Sequence, residues 1–163
     1  MSYIGLTDQE QVAKYLNTTN RKGDKHTTPW CGAFVAWCFD QTKDYKQTNK
    51  GLNALAFDWG PKEVADKSRH KPDGWVNGEK SGAFYGAVIV LGYSHTAFII
   101  GKNTKRNKYV FLGGNQSDEI KYGTVTIGQE LAIMKPKKYT IPVENKKLKE
   151  MSINADGSYK LSR

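Results

Sequence analysis

The chain has few cysteines, few prolines and no long apolar run. Its 163 residues include two cysteines, Cys31 and Cys38, and five prolines. Seven positions apart on one helix, these cysteines would lie about 10 Å from each other along the axis, beyond the reach of a disulfide. Both thiols are therefore predicted to be free. The apolar runs are too short to cross a bilayer, so membrane insertion is not expected.

The first residues lack the pattern of a secretory signal. MSYIGLTDQEQVAKYL has no basic leader followed by an apolar segment and a small-residue cleavage site. We therefore expect synthesis in the cytoplasm without a cleavable signal. Any export would then use a route other than the general secretory one.

Basic residues outnumber acidic ones by 25 to 16, which gives a formal net charge of +9. Such a charge attracts anionic polymers, whether nucleic acid or cell wall. The basic residues are scattered and no recognisable nucleic-acid-binding motif accompanies them, so nucleic acid is not an expected partner.

Apolar residues at 38% and charged residues at 25% fit one compact globular domain at this length.

Helical patterns fill the first half of the chain. The stretch 29–39 is apolar on every face, as in a helix buried inside a domain. The stretch 7–16 begins with Thr7 as a helix cap and has Glu10 at the capping-box position. The predicted helices are 7–16, 29–39 and a weaker one at 51–66, with loops at 17–27 and 67–82.

Strand patterns follow in the second half, where runs of β-branched and aromatic residues alternate with turn residues. The predicted strands are 86–91, 95–101, 108–112, 119–126 and 129–136. Helices followed by an antiparallel sheet indicate an α+β fold, with the N-terminal helices packed on the C-terminal sheet. We predict one domain, 1–142, and a polar C-terminal extension, 143–163, that is a terminal strand or partly disordered.

Cys31 is the first candidate for chemistry. In the string TTPWCGAFVAWCF, Thr28 can cap the helix and Pro29 suits its first position, so that Cys31 falls in the first turn. There the free amides and the helix dipole favour the thiolate, and a lowered thiol pKa is what a cysteine nucleophile needs. The alternative is an ordinary buried cysteine, which is what we expect of Cys38.

His95 is the candidate base. His26 and His70 lie in charged loops, whereas His95 opens an apolar strand after a short turn. An imidazole at a strand start can face a helix N-terminus across a cleft and take the proton of a thiol. The alternative is a solvent-exposed histidine at a strand end.

Asn115 is the candidate third residue, because a carboxamide can hold the imidazole in its useful tautomer. It follows the strand that is expected to pair with the strand of His95. Gln116 and Asp118 are substitutes for this role, and the alternative is that 113–115 forms only a turn. No metal-ligand spacing, phosphate loop or dinucleotide fingerprint is recognisable, so no metal or cofactor is expected.

The segments PWCGAFVAWC, GAVIVLGYSHTAFIIG and LGGNQS resemble, in order and spacing, those of the CHAP amidase/peptidase group within the papain-like NlpC/P60 superfamily. The resemblance implies that fold, with Cys31 as nucleophile, His95 as base and Asn115 as orienting residue. Further candidates to bind substrate or stabilise an oxyanion are Trp30, Gln116 and Ser94. The chain departs from the family pattern at three positions: Ala87 replaces the usual Asp, Ser94 the usual Gly and Thr96 the usual Val.

The resemblance implies a cysteine hydrolase of peptidoglycan that cleaves a stem-peptide or cross-bridge amide, or the amide between peptide and sugar. Such a hydrolase acts in the wall or periplasm of a target cell. Without a secretory signal, it would have to be delivered as a type VI effector, a phage lysin or a bacteriocin domain, and we favour the effector. That setting predicts an acidic immunity protein as a further partner. Two other functions stay open: a papain-like deamidase or transglutaminase toxin, and a non-catalytic wall- or nucleic-acid-binding module.

Overall fold

The computed structural model describes residues 8–21, 23, 26–45, 55–68 and 73–154. Thr7, the predicted cap of the first helix, and His70 lie outside these residues. The helices are α1 (Asp8–Leu16), α2 (Cys31–Asp40) and α3 (Lys62–Ala65), with 3-10 helices at Ala56–Trp59 and Val143–Asn145. The strands are β1 (Gly78–Lys80), β2 (Val88–Leu91), β3 (His95–Asn103), β4 (Lys108–Gln116), β5 (Glu119–Thr126) and β6 (Ala132–Pro136).

The strands form one six-stranded sheet in the order β1-β6-β2-β3-β4-β5. Every strand pair in it is antiparallel. Helices come first along the chain and the sheet follows, so the predicted α+β class and antiparallel sheet are confirmed. β3 and β4 are the longest strands, nine residues each, and lie next to each other inside the sheet.

Helix α2 is apolar all round because it is enclosed on several sides. One side of it packs on the sheet, where Val35 and Phe39 share a buried cluster with Val88 of β2 and Met134 of β6. Another side packs on α1 through a second cluster that includes Leu16 and Phe34. Fully burying a side chain of this size stabilises the fold by about 1.5–3 kcal/mol, so these contacts fix the position of α2 firmly.

The other face of the sheet is covered as well. A third buried cluster joins Ile99 of β3 and Phe111 of β4 to Phe84 and to Leu148, which lies in the predicted extension. Residues beyond 142 are also tied to β3 by backbone hydrogen bonds, from Lys102 N–H to the Lys149 carbonyl at 3.0 Å and from Met151 N–H to the Lys102 carbonyl at 2.8 Å. Part of that polar segment therefore belongs to the packed structure.

Two regions differ from the sequence prediction. The helix expected at 51–66 is, over its described residues, a 3-10 helix and the short α3, which are separated at Gly60 and Pro61. Proline disfavours the helical conformation of the residue before it, so a continuous helix was wrong there. The loop expected at 67–82 contains strand β1, which pairs with β6.

Candidate active site

Cys31 is the first residue of α2. Trp30 occupies the cap position and makes no side-chain capping hydrogen bond. The predicted cap at Thr28 and the predicted first helical position at Pro29 were therefore wrong, because the helix begins two residues later. The shift leaves Cys31 at the end of the helix where backbone N–H groups lack intrahelical partners.

Cys31 is only 3% exposed. Burial raises its pKa, and backbone hydrogen bonds from Thr96, Gly32 and Cys31 itself oppose this effect without reversing it. The predicted lowering of this pKa was wrong, because loss of hydration outweighs the amides of the helix start. Contact with Thr96 also places the sulfur beside the first residues of β3.

A three-residue connection holds His95 at the start of β3. Leu91 and His95 are paired across β2 and β3, and Ser94 donates its backbone N–H to the Leu91 carbonyl at 3.1 Å. Ser94 has a φ of 63°, as is usual for the last residue of such a hairpin connection. Only glycine adopts this conformation without a steric cost.

The imidazole of His95 lies between two aromatic rings. Tyr93 stacks on it at a centroid distance of 5.7 Å and an interplanar angle of 8°, and Phe111 contacts it at 5.9 Å. Because His95 is 5% exposed, burial lowers its pKa to about 4. It is therefore neutral at neutral pH. The alternative of a solvent-exposed strand-end histidine was wrong.

One imidazole nitrogen, Nε2, points at β4. It is buried and has no hydrogen-bond partner among the described residues. A Cβ atom added to Gly113 would lie 2.7 Å from this nitrogen and 3.3 Å from Nε2 of Gln116. Gly113 thus lets the backbone of β4 approach the histidine, and the other ring nitrogen, Nδ1, is left for other groups.

The residues 113–116 form the end of strand β4, with a register irregularity, rather than only a turn. Gly114 faces the opposite side of the sheet from Gly113, because a Cβ atom there would lie 2.6 Å from the ring of Trp30 and 2.8 Å from Cβ of Phe34. The two glycines therefore allow close contact with the histidine on one face and with α2 on the other.

The candidates for the orienting role differ in their contacts. Asn115 has a φ of 56° and its side chain makes no hydrogen bond within the described parts of the chain. Gln116 donates its amide to the carbonyls of Gly113 and Lys121. Asp118 pairs with His26, with 2.8 Å between Oδ2 and Nδ1. Asp118 is thus bound to a different histidine, whereas Asn115 and Gln116 remain next to the site.

These groups border one cavity of about 370 Å³. Its walls are Pro29, Cys31, Tyr93, Ser94, His95, Asn115, Gln116 and Ser117. Five of the six predicted site residues are among them. Trp30 is not: it is 2% exposed and stacks on Tyr15 in the core.

Sequence reasoning overlooked Tyr93 and Ser117. Tyr93 lies in the connection between β2 and β3, and the signal for it was its position two residues before His95 in a short turn. Ser117 follows Gln116 with a φ of 55°, a conformation that the sequence does not signal for serine.

The other thiol, Cys38, is not among the residues that line this cavity. Cys38 is half-buried near the end of α2, and burial raises its pKa to about 12. In the part of the chain that the structure describes, no group of three or more His, Cys, Asp or Glu side chains is arranged to hold a metal ion. Nor is any helix in that part long and apolar enough to cross a membrane.

Comparison of the chain with family models, with curated proteins and with solved structures gave no match. The chemistry of the cavity is therefore considered from its own residues. A neutral thiol at a helix start and a neutral imidazole border the same polar space, an arrangement suited to nucleophilic attack on a carbonyl carbon.

Proposed function

We propose that the protein is a cysteine hydrolase of the papain-like NlpC/P60 (CHAP) type that cleaves an amide bond of peptidoglycan peptide. The observation that carries this proposal is the cavity shared by Cys31, His95 and Asn115, which come from three different elements. The reaction follows from the residues, whereas the peptidoglycan substrate follows from the resemblance of the three sequence segments.

In the proposed reaction, His95 takes the proton of the Cys31 thiol and the sulfur attacks the amide carbonyl carbon. Backbone N–H groups at the start of α2 stabilise the oxyanion. His95 then gives its proton to the leaving amine, the C–N bond breaks, and a thioester remains on Cys31. Water attacks this thioester as His95 removes its proton, which releases a carboxylic acid and restores the thiol.

The two ring nitrogens of His95 have separate roles in this scheme. Nε2 is turned to β4, so Nδ1 exchanges the proton with Cys31. A carboxamide oxygen that accepts from Nε2–H would keep the proton off Nδ1 in the resting enzyme. We assign that role to Asn115, because its side chain is not engaged elsewhere, while the amide nitrogen of Gln116 donates to two carbonyls and its oxygen lies beside Gly123.

The proposed setting is the wall or periplasm of a bacterial target cell, reached as an antibacterial effector or as a lysin. The net charge of +9 favours approach to an anionic wall, and it also favours an acidic immunity protein as the inhibitor of an effector.

The test is digestion of purified sacculi, with mass spectrometry of the released fragments. We expect Cys31→Ala and His95→Ala to abolish release, because each removes a reacting group, and Cys38→Ala to keep it. New amine and carboxyl termini would identify the bond. A dead Cys38→Ala variant would contradict the assignment of the nucleophile. Absence of any product, together with Cys31-dependent deamidation or cross-linking of a protein substrate, would favour the toxin alternative.

The same assay shows whether Asn115 or Gln116 orients the base. Asn115→Ala should lower kcat by about 10–100-fold with little change in the midpoint of unfolding, as expected for a group that orients a base. Gln116→Ala is the matched variant on the neighbouring position. A normal kcat for Asn115→Ala with a low one for Gln116→Ala would move the orienting role to Gln116.

A further inference from the structure

A second cavity, of about 440 Å³, adjoins the one that contains Cys31. Its walls are Leu91, Gly92, Tyr93, Lys108, Thr124, Val125, Thr126 and Gln129. Tyr93 is a wall of both cavities. Tyr93 therefore lies between the two cavities.

Lys108 brings a positive charge to this second cavity. Its ammonium group donates to Oγ1 of Thr126 at 3.2 Å. Lysines 62, 80, 102, 121 and 135 each lie within ion-pair distance of a carboxylate, but no described carboxylate pairs with Lys108. A cation in a cavity without an acidic partner favours an anionic ligand.

The neighbouring groups add hydrogen-bond donors, which also favour an anionic ligand. Thr126 accepts from Lys108 through its oxygen, so its hydroxyl hydrogen remains free to donate. Gln129, whose backbone N–H donates to the Thr126 carbonyl at 3.0 Å, also lines the cavity and carries a side-chain amide. Ammonium, hydroxyl and amide N–H groups together suit the two oxygens of a carboxylate.

We propose that the second cavity is a subsite that binds a free carboxylate of the peptide substrate and thereby determines specificity. This inference rests on the proposed function, in which the peptide lies over Cys31.

The test compares two synthetic peptides that differ only at this group, one with the free carboxylate and one with the carboxamide. Wild-type protein should prefer the carboxylate by about tenfold in kcat/KM, mainly through KM, because a charge-assisted hydrogen bond is lost with the carboxamide. Lys108→Met should remove the preference by lowering kcat/KM for the carboxylate peptide by about the same tenfold. Lys105→Met is the matched control, since it removes the same charge from the exposed turn between β3 and β4. A Lys108→Met variant that keeps the preference would overturn the proposal.

Binding to the inactive Cys31→Ala protein gives a second readout that needs no turnover. The backbone amide signals of Thr126 and Gln129 should shift in NMR spectra as the carboxylate peptide is added, and much less with the further Lys108→Met change. Binding of this kind without cleavage by wild-type protein would refute the proposed hydrolysis and leave the subsite standing. If inorganic phosphate shifts the same signals and the peptide does not, the assignment to a peptide carboxylate is wrong.

Discussion

Cys31 and His95 lie in surroundings that disfavour charge on either side chain. Burial raises the pKa of the thiol and lowers that of the imidazole to about 4. The resting pair is therefore a neutral thiol and a neutral imidazole rather than a thiolate and an imidazolium. In the proposed reaction, the proton moves only when the substrate carbonyl is in place to receive the sulfur.

The sequence predicted the position of these residues better than their ionisation. A cysteine near a helix start can be recognised from TTPWC, but its burial depends on how other elements, such as the start of β3 at Thr96, pack against it. Exposed charges near a helix end gain about 0.3–1 kcal/mol from the dipole, whereas full burial shifts a pKa by up to 3–5 units, or about 4–7 kcal/mol. The larger effect comes from tertiary packing, which one sequence does not display.

Burial of His95 should make the fold sensitive to acid. The pKa of His95 is about 4 in the folded protein and about 6.5 when unfolded, so the unfolded chain binds more protons between these values. The free energy of unfolding should therefore fall as pH drops from 6.5 to 4, by up to about 3 kcal/mol from this residue. Urea unfolding of wild type and His95→Gln at pH 7 and pH 4.5 measures this change in the free energy of unfolding. Equal losses of stability in the two proteins would contradict the expectation.

The end of strand β4 is the element that shapes the site. Gly113 allows the backbone to approach His95, and Gly114 allows it to approach Trp30 and Phe34 of the α2 region. The pattern LGGNQS suggested a possible turn, because glycine and asparagine are common in turns. Close backbone approach requires glycine for a different reason, because a Cβ atom would collide with a neighbouring side chain. Only the packing partners distinguish a glycine of this kind from a turn glycine.

These glycines should therefore respond differently to alanine. In Gly113→Ala the new methyl group meets Nε2 of His95, so we expect kcat/KM to fall at least tenfold through displacement of the base. In Gly114→Ala it meets the Trp30 ring and Phe34, and overpacking of this kind costs about 1–3 kcal/mol of stability.

Kinetics on the proposed peptide substrate and urea midpoints, measured for both variants, separate the two effects. If Gly113→Ala folds normally and keeps full activity, the close approach of β4 to His95 has no functional importance. If Gly114→Ala is as stable as wild type, the contact with α2 is not tight.

Across the whole molecule, the α+β layout and most strands could be predicted, because β2, β3 and the apolar α2 carry clear periodic patterns. The division of 51–66 could also have been predicted, since Gly60-Pro61 is a strong breaker. The contribution of residues beyond 142 to the core could not be predicted. That segment is polar overall, and among its described residues, 143–154, Leu148 is the one in a buried core cluster.

Leu148 should accordingly be needed for stability. It is 7% exposed and packs under the sheet with Phe84 and Ile99, so Leu148→Ala should lower the free energy of unfolding by about 2–4 kcal/mol. Lys147→Ala, at the exposed neighbouring position, should leave it unchanged. Thermal and urea unfolding of both variants provide the measurement. A Leu148→Ala variant as stable as the wild type would contradict the expectation.

The cavity draws its walls from distant parts of the chain: Pro29 and Cys31 come from the first fifth, and Tyr93 to Ser117 from the second half. During synthesis the thiol therefore emerges long before the strands that hold the imidazole and the amide. In the proposed mechanism, a nascent or unfolded chain would carry the nucleophile without its base. Such a chain would be inactive as a hydrolase until the sheet has folded.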